Sequence, residues 1–152
     1  MHSRPVHHSG FTLIEVLIVL VIAAILASMA WPAFTTAINK SRRSDAMTAL
    51  AQITQSQERW RANKPSYQAT LANLVGASAG VSPGGHYDLS MVADSVTSTG
   101  YKANAAVKHG SPQNADTNCK VLQVEMSNGN LSYRSGPDDN VGNGTPDPCW
   151  VR

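Results

Sequence analysis

Between Val16 and Asn39 the chain carries no charged residue, a run of about 24 residues. At ~1.5 Å of rise per residue, such a run forms a helix long enough to cross ~30 Å of hydrocarbon. Its first half is apolar all round, which suits lipid or the interior of a bundle. Pro32 lies inside the run, where it removes one backbone hydrogen bond and strains the preceding turn. Glu15 stands at the beginning of this apolar segment. A carboxylate there costs on the order of 2.5–3.5 kcal/mol on insertion scales, so a partner is expected. A cut after Gly10 would supply one, because Phe11 would gain an α-amino group four residues from Glu15. That cation could neutralise the carboxylate of a neighbouring copy.

Two plainer readings compete. A secretory signal peptide would place small residues before its cleavage site, as Ser28-Met29-Ala30 do. Against it, the leader offers only Arg4 and histidines, an acid lies within the run, and apolar residues continue to Phe34. A simple membrane anchor explains everything except Glu15 and the Gly10-Phe11 junction.

The 152 residues suit one modest domain beyond the apolar segment, about 110 residues long. A formal net charge of +2 gives no nucleic-acid signal by itself. The charge is unevenly spread: Lys40, Arg42, Arg43, Arg59, Arg61 and Lys64 face only Asp45 and Glu58, whereas beyond Pro65 acids outnumber bases. Counting flanking charge would keep the C-terminal domain in the cytoplasm. Cys119 and Cys149 argue the reverse, since a disulfide needs an oxidising compartment. Long domains cross membranes largely regardless of flanking charge, so the cysteines decide the expected topology. Joining them would enclose the last hairpin and pin the tail. Metal binding by two cysteines is the weaker alternative, with no nearby histidine pair to complete a tetrahedral set.

The pattern from Phe11 to about Asn63 predicts one long helix, ended by Pro65. After Lys40 it becomes amphipathic, with Ala46, Ala49, Leu50, Ile53 and Trp60 near one face. Ser66 to Gly85 reads as a connection with a short apolar turn at 71–75. Period-two alternation then marks four strands: Tyr87, Leu89 and Met91; Tyr101, Ala103, Ala105 and Val107; Leu122, Val124 and Met126; Leu131 and Tyr133. Asn128-Gly129 suits a hairpin turn, because both positions accept positive φ. The tail from Gly136 to Pro148 reads as irregular. The expected fold is α+β: a long N-terminal helix whose second half packs on a four-stranded antiparallel sheet.

The segment Gly10-Phe11-Thr12-Leu13-Ile14-Glu15 resembles the processing motif of type IV prepilins and pseudopilins. The resemblance continues through Ala30-Trp31-Pro32-Ala33-Phe34 and Ser41-Arg42-Arg43-Ser44-Asp45-Ala46. With Gln57-Glu58-Arg59-Trp60 and Tyr67 it is similar to minor pilins of the PilE type and their DNA-receptor relatives. It implies a leader at 1–10 removed by a prepilin peptidase, N-methylation of Phe11, a membrane and assembly helix at 11–39 and a pilin head at 40–152. It also implies that Glu15 guides subunit docking and that the Pro32 region loosens on packing. The expected role is a structural one, that of a minor pilin in a type IV pilus, serving its biogenesis, adhesion or twitching motility, with a DNA-binding minor pilin for DNA uptake or a type II secretion pseudopilin as the alternatives. The implied partners are other pilins, the inner-membrane assembly machinery and the membrane itself. The chain would wait in a bacterial inner membrane, head in the periplasm, before joining the extracellular pilus.

No nucleophile elbow, ordered catalytic set or phosphate-binding glycine loop is present, so no enzyme and no cofactor are expected. Asp138 to Asp147 is rich in oxygen donors that could hold Ca²⁺, but its spacing departs from the EF-hand and a solvated loop is the expected reading. Lys102, Lys108, Lys120 and Arg134 could form a positive strip for DNA. A few cations give only weak, salt-sensitive binding, and the acidic excess beyond Pro65 counts against it. Lys40, Arg42 and Arg43 are expected near lipid headgroups or neighbouring subunits.

Overall fold

The computed structural model describes residues 11–76, 80–139, 141–142 and 147–150. The chain divides into two units, one up to Ala37 and one from Ile38 onward. Helix α1, Leu13–Arg61, contributes to both. It begins two residues later than the apolar pattern suggests and stops four residues short of Pro65. In the first unit every described residue up to Phe34 is exposed.

In the second unit, α1 presents Ala46, Ala49, Leu50 and Ile53 to the sheet, all essentially buried. Their i, i+3, i+4, i+7 spacing places them on one face. The next buried positions are Ser56 and Gln57 rather than the expected Trp60. Gln57 is satisfied by a reciprocal pair: its Nε2 donates to the Gln68 carbonyl (2.7 Å) and its Oε1 accepts from the Gln68 N–H (2.9 Å). Trp60 lies half-buried at the helix end, with Lys64 Nζ 5.6 Å from its ring.

The four strands are β1 (Tyr87–Met91), β2 (Gly100–Val107), β3 (Val121–Ser127) and β4 (Asn130–Gly136). They form an antiparallel meander in the order β1-β2-β3-β4. Register is set by alternation: Leu89 opposes Ala105, Ala105 opposes Leu122, and Leu122 opposes Ser135. A one-residue slip would carry the core side chains to the outer face. The β3–β4 turn has Asn128 at φ 49° and Gly129 at φ 81°, the two positive values that a tight hairpin requires. Gly100 has a different constraint: a Cβ there would sit 2.4 Å from the Met126 carbonyl oxygen.

The short apolar turn is helix α2, Leu71–Val75. The strand pattern did not reveal a 3₁₀ turn at Pro112–Ala115, capped by the Ser111 hydroxyl. Nor is the tail wholly irregular, since Gly142 N–H donates to the Ser135 carbonyl in an isolated bridge. Cys119 and Cys149 form a disulfide across 30 residues of sequence. Chain-entropy arguments assign a loop of that size about 3–4 kcal/mol of stabilisation.

Tyr87 and Tyr101 are buried in the core. Burial pushes both phenols up to about 12; the Asp116 carboxylate adds to the effect at Tyr87, while the nearby Thr54 hydroxyl opposes it at Tyr101. The neutral phenol is the form the folded core accepts. The stabilisation is therefore complete below pH ~10, the unfolded value, and is lost as pH rises toward ~12. Thermal stability is expected to hold to pH 10 and fall steeply above it, tracking phenolate absorbance. Unchanged melting at pH 11.5 would contradict this assignment.

Candidate functional site

The first helical turn solves the problem of its own carboxylate. Thr12 occupies the N-cap, its carbonyl accepting the first helical bond from Val16 N–H at 3.3 Å. Glu15 stands three residues on, and its Oε2 accepts from Thr12 N–H (3.3 Å) and the Thr12 hydroxyl (3.4 Å). In return Thr12 Oγ1 accepts from Glu15 N–H at 3.3 Å. This is a capping box, in which side chains satisfy backbone donors that the helix start would leave free. The carboxylate also lies at the positive end of the helix dipole. Thr-x-x-Glu is the sequence signature of this box, beside the charge that singles out Glu15.

Phe11 lies beside the cap, 85% exposed. Gly10 lies outside the described residues. Pro32 sits within α1 without ending it. The hydroxyls of Thr35 and Thr36 both donate to the Pro32 carbonyl, at 2.9 and 3.0 Å. Among the described residues, α1 is the one helix long and apolar enough to cross a membrane.

Arg43 departs from the expectation that it lies near lipid or a neighbour. Its guanidinium grips Asp116 through two parallel bonds, Nε–Oδ2 at 2.6 Å and Nη2–Oδ1 at 2.9 Å. Gln113 Nε2 donates to the same carboxylate at 2.9 Å and approaches the Asn39 carbonyl at 3.4 Å. The planar guanidinium fork matches a carboxylate in a way a lysine cannot. Two residues on, Asp45 accepts from the Ser82 hydroxyl and from Gly84 N–H, tying the loop before β1 to the helix.

The four cations considered for DNA are separated by the fold. Lys102 on β2 and Arg134 on β4 point to the outer face of the sheet and share Glu125 between them. Lys102 Nζ is 3.2 Å from Oε1, and Arg134 Nη2 is 2.6 Å from Oε2 in an ion pair without hydrogen-bond alignment. Lys108 is exposed just beyond β2 and Lys120 half-buried just before β3; neither is tied to Glu125.

In the oxygen-rich tail, Asp147 Oδ1 accepts from the Ser135 hydroxyl and from Cys149 N–H. Asn140 and residues 143–146 of the calcium candidate lie outside the described residues. Among the described residues, no group of three or more His, Cys, Asp or Glu is placed to hold a metal ion.

Comparison with known families follows the same division of the chain. A model described as the prokaryotic N-terminal methylation motif matches residues 6–31. A second, described as type IV minor pilin ComP, DNA uptake sequence receptor, matches residues 32–123. No curated protein matches the chain. An exposed apolar helix with a capped carboxylate at its start, an α+β head on its second half, and a family match over most of the chain lead to one conclusion: this chain belongs to the type IV minor pilins.

Proposed function

We propose that this minor pilin is stored as a single-pass protein of the bacterial inner membrane, with its head in the periplasm. A prepilin peptidase cuts between Gly10 and Phe11, separating leader 1–10 from assembly helix 11–39 and head 40–152. Phe11 is then N-methylated, and inner-membrane machinery lifts the helix into the pilus, where Glu15 meets the Phe11 amine of a neighbour. The role is structural, with no catalytic step. The observation that carries this reading is the Thr12–Glu15 box at the start of an exposed helical stretch that is uncharged from Val16 to Asn39. It keeps an ionised or hydrogen-bonded carboxylate tolerable in lipid while leaving it available for a stronger cationic partner. Intact mass and N-terminal sequencing, with and without the peptidase, test it. The expected product starts at N-methylated Phe11 only when the peptidase is present; a start near Trp31 would refute the reading.

A second reading, reception of DNA by the head, is favoured by the match of residues 32–123 to a family model that names a DNA uptake sequence receptor. Because Glu125 offsets part of the charge of Lys102 and Arg134, Lys108 and Lys120 are the less encumbered phosphate partners. Binding through so few cations should show a shallow salt slope, each phosphate contact contributing about −0.9 to the log–log plot. Gel-shift titration of the detergent-solubilised chain at two salt concentrations measures it; no shift at low salt removes this reading.

A further inference from the structure

The loop between β2 and β3 meets α1 at the depth where a bilayer would end. Counted from Val16 at ~1.5 Å per residue, ~30 Å of hydrocarbon takes about 20 residues and reaches Thr35. A headgroup layer of ~5–8 Å then covers the turn of α1 that contains Asn39 and Lys40. Gln113 Nε2 approaches the Asn39 carbonyl at 3.4 Å, and Arg43 grips Asp116 one turn further along. The opposite end of the head is ~27 Å further along α1 by residue count. There Arg61 Nε donates to the Ser98 carbonyl just before β2, at 3.2 Å. So β2 runs from the far end of α1 back toward Asn39, and the loop that follows it faces the membrane.

That loop is built to present cations. Lys108 is exposed, yet its backbone is fixed: its carbonyl accepts from Ser111 N–H (3.0 Å) and Asn114 Nδ2 (3.2 Å), and its N–H donates to the His86 carbonyl (3.0 Å). At the other end of the loop the Lys120 carbonyl accepts from Val107 N–H at 2.8 Å. The one acid between the two lysines, Asp116, is already paired with Arg43. Of the acids on neighbouring elements, Asp45 is tied to Ser82 and Gly84, and Asp138 and Asp139 follow β4 at the edge of the sheet. Among the described residues, Lys40, Arg42, Lys108 and Lys120 form no ion pair.

We propose that this end of the head is a second membrane contact, in which Lys108 and Lys120 join Lys40 and Arg42 on anionic phospholipid headgroups around the base of α1. The inference rests on the storage reading above and adds a lipid-binding role for the loop at 108–120. Long lysine stems carry the ammonium out to a headgroup phosphate without requiring a pocket. Each cation close to an anionic surface strengthens the contact by about fivefold, and salt screens it. The span alone holds the chain in the bilayer; the loop holds the head down on its surface.

Hydrogen exchange of the full chain tests this in vesicles of phosphatidylcholine, alone or mixed with phosphatidylglycerol. Amides of 108–120 are expected to exchange at least about fivefold more slowly in the anionic vesicles, and high salt should erase the difference. Residues 92–99, at the opposite end of the head, should exchange equally in both. Lys108→Gln combined with Lys120→Gln should remove the lipid dependence while melting with the parent. Equal exchange of 108–120 in the two lipids, or a difference that survives in the double variant, would overturn the proposal. Slowing by duplex DNA in neutral vesicles, with none from anionic lipid, would also overturn it and assign these cations to nucleic acid. Insertion is read separately, from protection of 16–34 in both lipids; rapid exchange there would refute the membrane reading itself.

Discussion

A chain carrying Glu15→Ala is expected to be cut and held in the membrane normally, yet to be largely missing from sheared pili. Substituting one residue at the edge of a span of about 24 uncharged residues leaves more than enough apolar length to insert. Removing the carboxylate abolishes both bonds that Thr12 donates to it. Fraying of that first turn costs about 0.5–2 kcal/mol, too little to matter for a helix otherwise held by lipid. The larger loss comes at docking. A hydrogen bond between charged groups contributes about 1.5–3 kcal/mol, more in a site without water, so pilus content should fall by about tenfold or more. Glu15→Gln separates the capping bonds from the proposed docking charge. It can still accept from Thr12 and keeps the helix start, but offers a neighbouring Phe11 amine no charge. If docking is an ion pair, Gln behaves like Ala; if the capping box is what assembly needs, Gln restores incorporation. Wild-type amounts of Glu15→Ala in sheared pili would sink the docking role altogether.

The sequence makes some parts of this architecture visible and hides others for identifiable reasons. Uniform hydrophobicity from Val16 onward announces the helix, because a single segment can satisfy its own backbone in lipid only as a helix. Alternation at Tyr87, Leu89, Tyr101, Ala103, Leu122 and Val124 announces the strands, and Asn128-Gly129 the last hairpin. Two cysteines leave only one intramolecular pairing. What stays hidden is long-range. Arg43 finds Asp116 across 73 positions, and local pattern cannot signal such a pairing. Trp60 fits the helical stripe by spacing, but Gln57 takes the buried position because the Gln68 backbone is there to satisfy it. The Thr12–Glu15 box is legible in the Thr-x-x-Glu spacing, where the same carboxylate carries both a charge and a cap.

The second large effect is expected at Arg43. Its side chain is 15% exposed and its partner Asp116 8%, so both ends of the pair lie largely out of water. Replacing Arg43 with alanine strands the Asp116 carboxylate with Gln113 Nε2 as its remaining side-chain donor. Breaking a buried pair from one side costs about 3–5 kcal/mol, a large part of the ~5–15 kcal/mol that stabilises a domain. Asp116→Ala should cost less. The freed guanidinium sits on a long stem at the more exposed end and can turn toward solvent, whereas Asp116 is fixed in the turn after the 3₁₀ segment that Ser111 caps. Removing both ends with apolar side chains of similar volume, Arg43→Met with Asp116→Leu, should recover most of the loss, because neither charge is left desolvated. Thermal melts of the full chain in detergent would show the order Arg43→Ala lowest, Asp116→Ala above it, and the double variant nearest the parent. A cost under about 1 kcal/mol for Arg43→Ala, typical of surface pairs, would mean that water reaches Asp116 and that the helix is held to the sheet by Leu50, Ile53 and the Asp45 loop contacts alone.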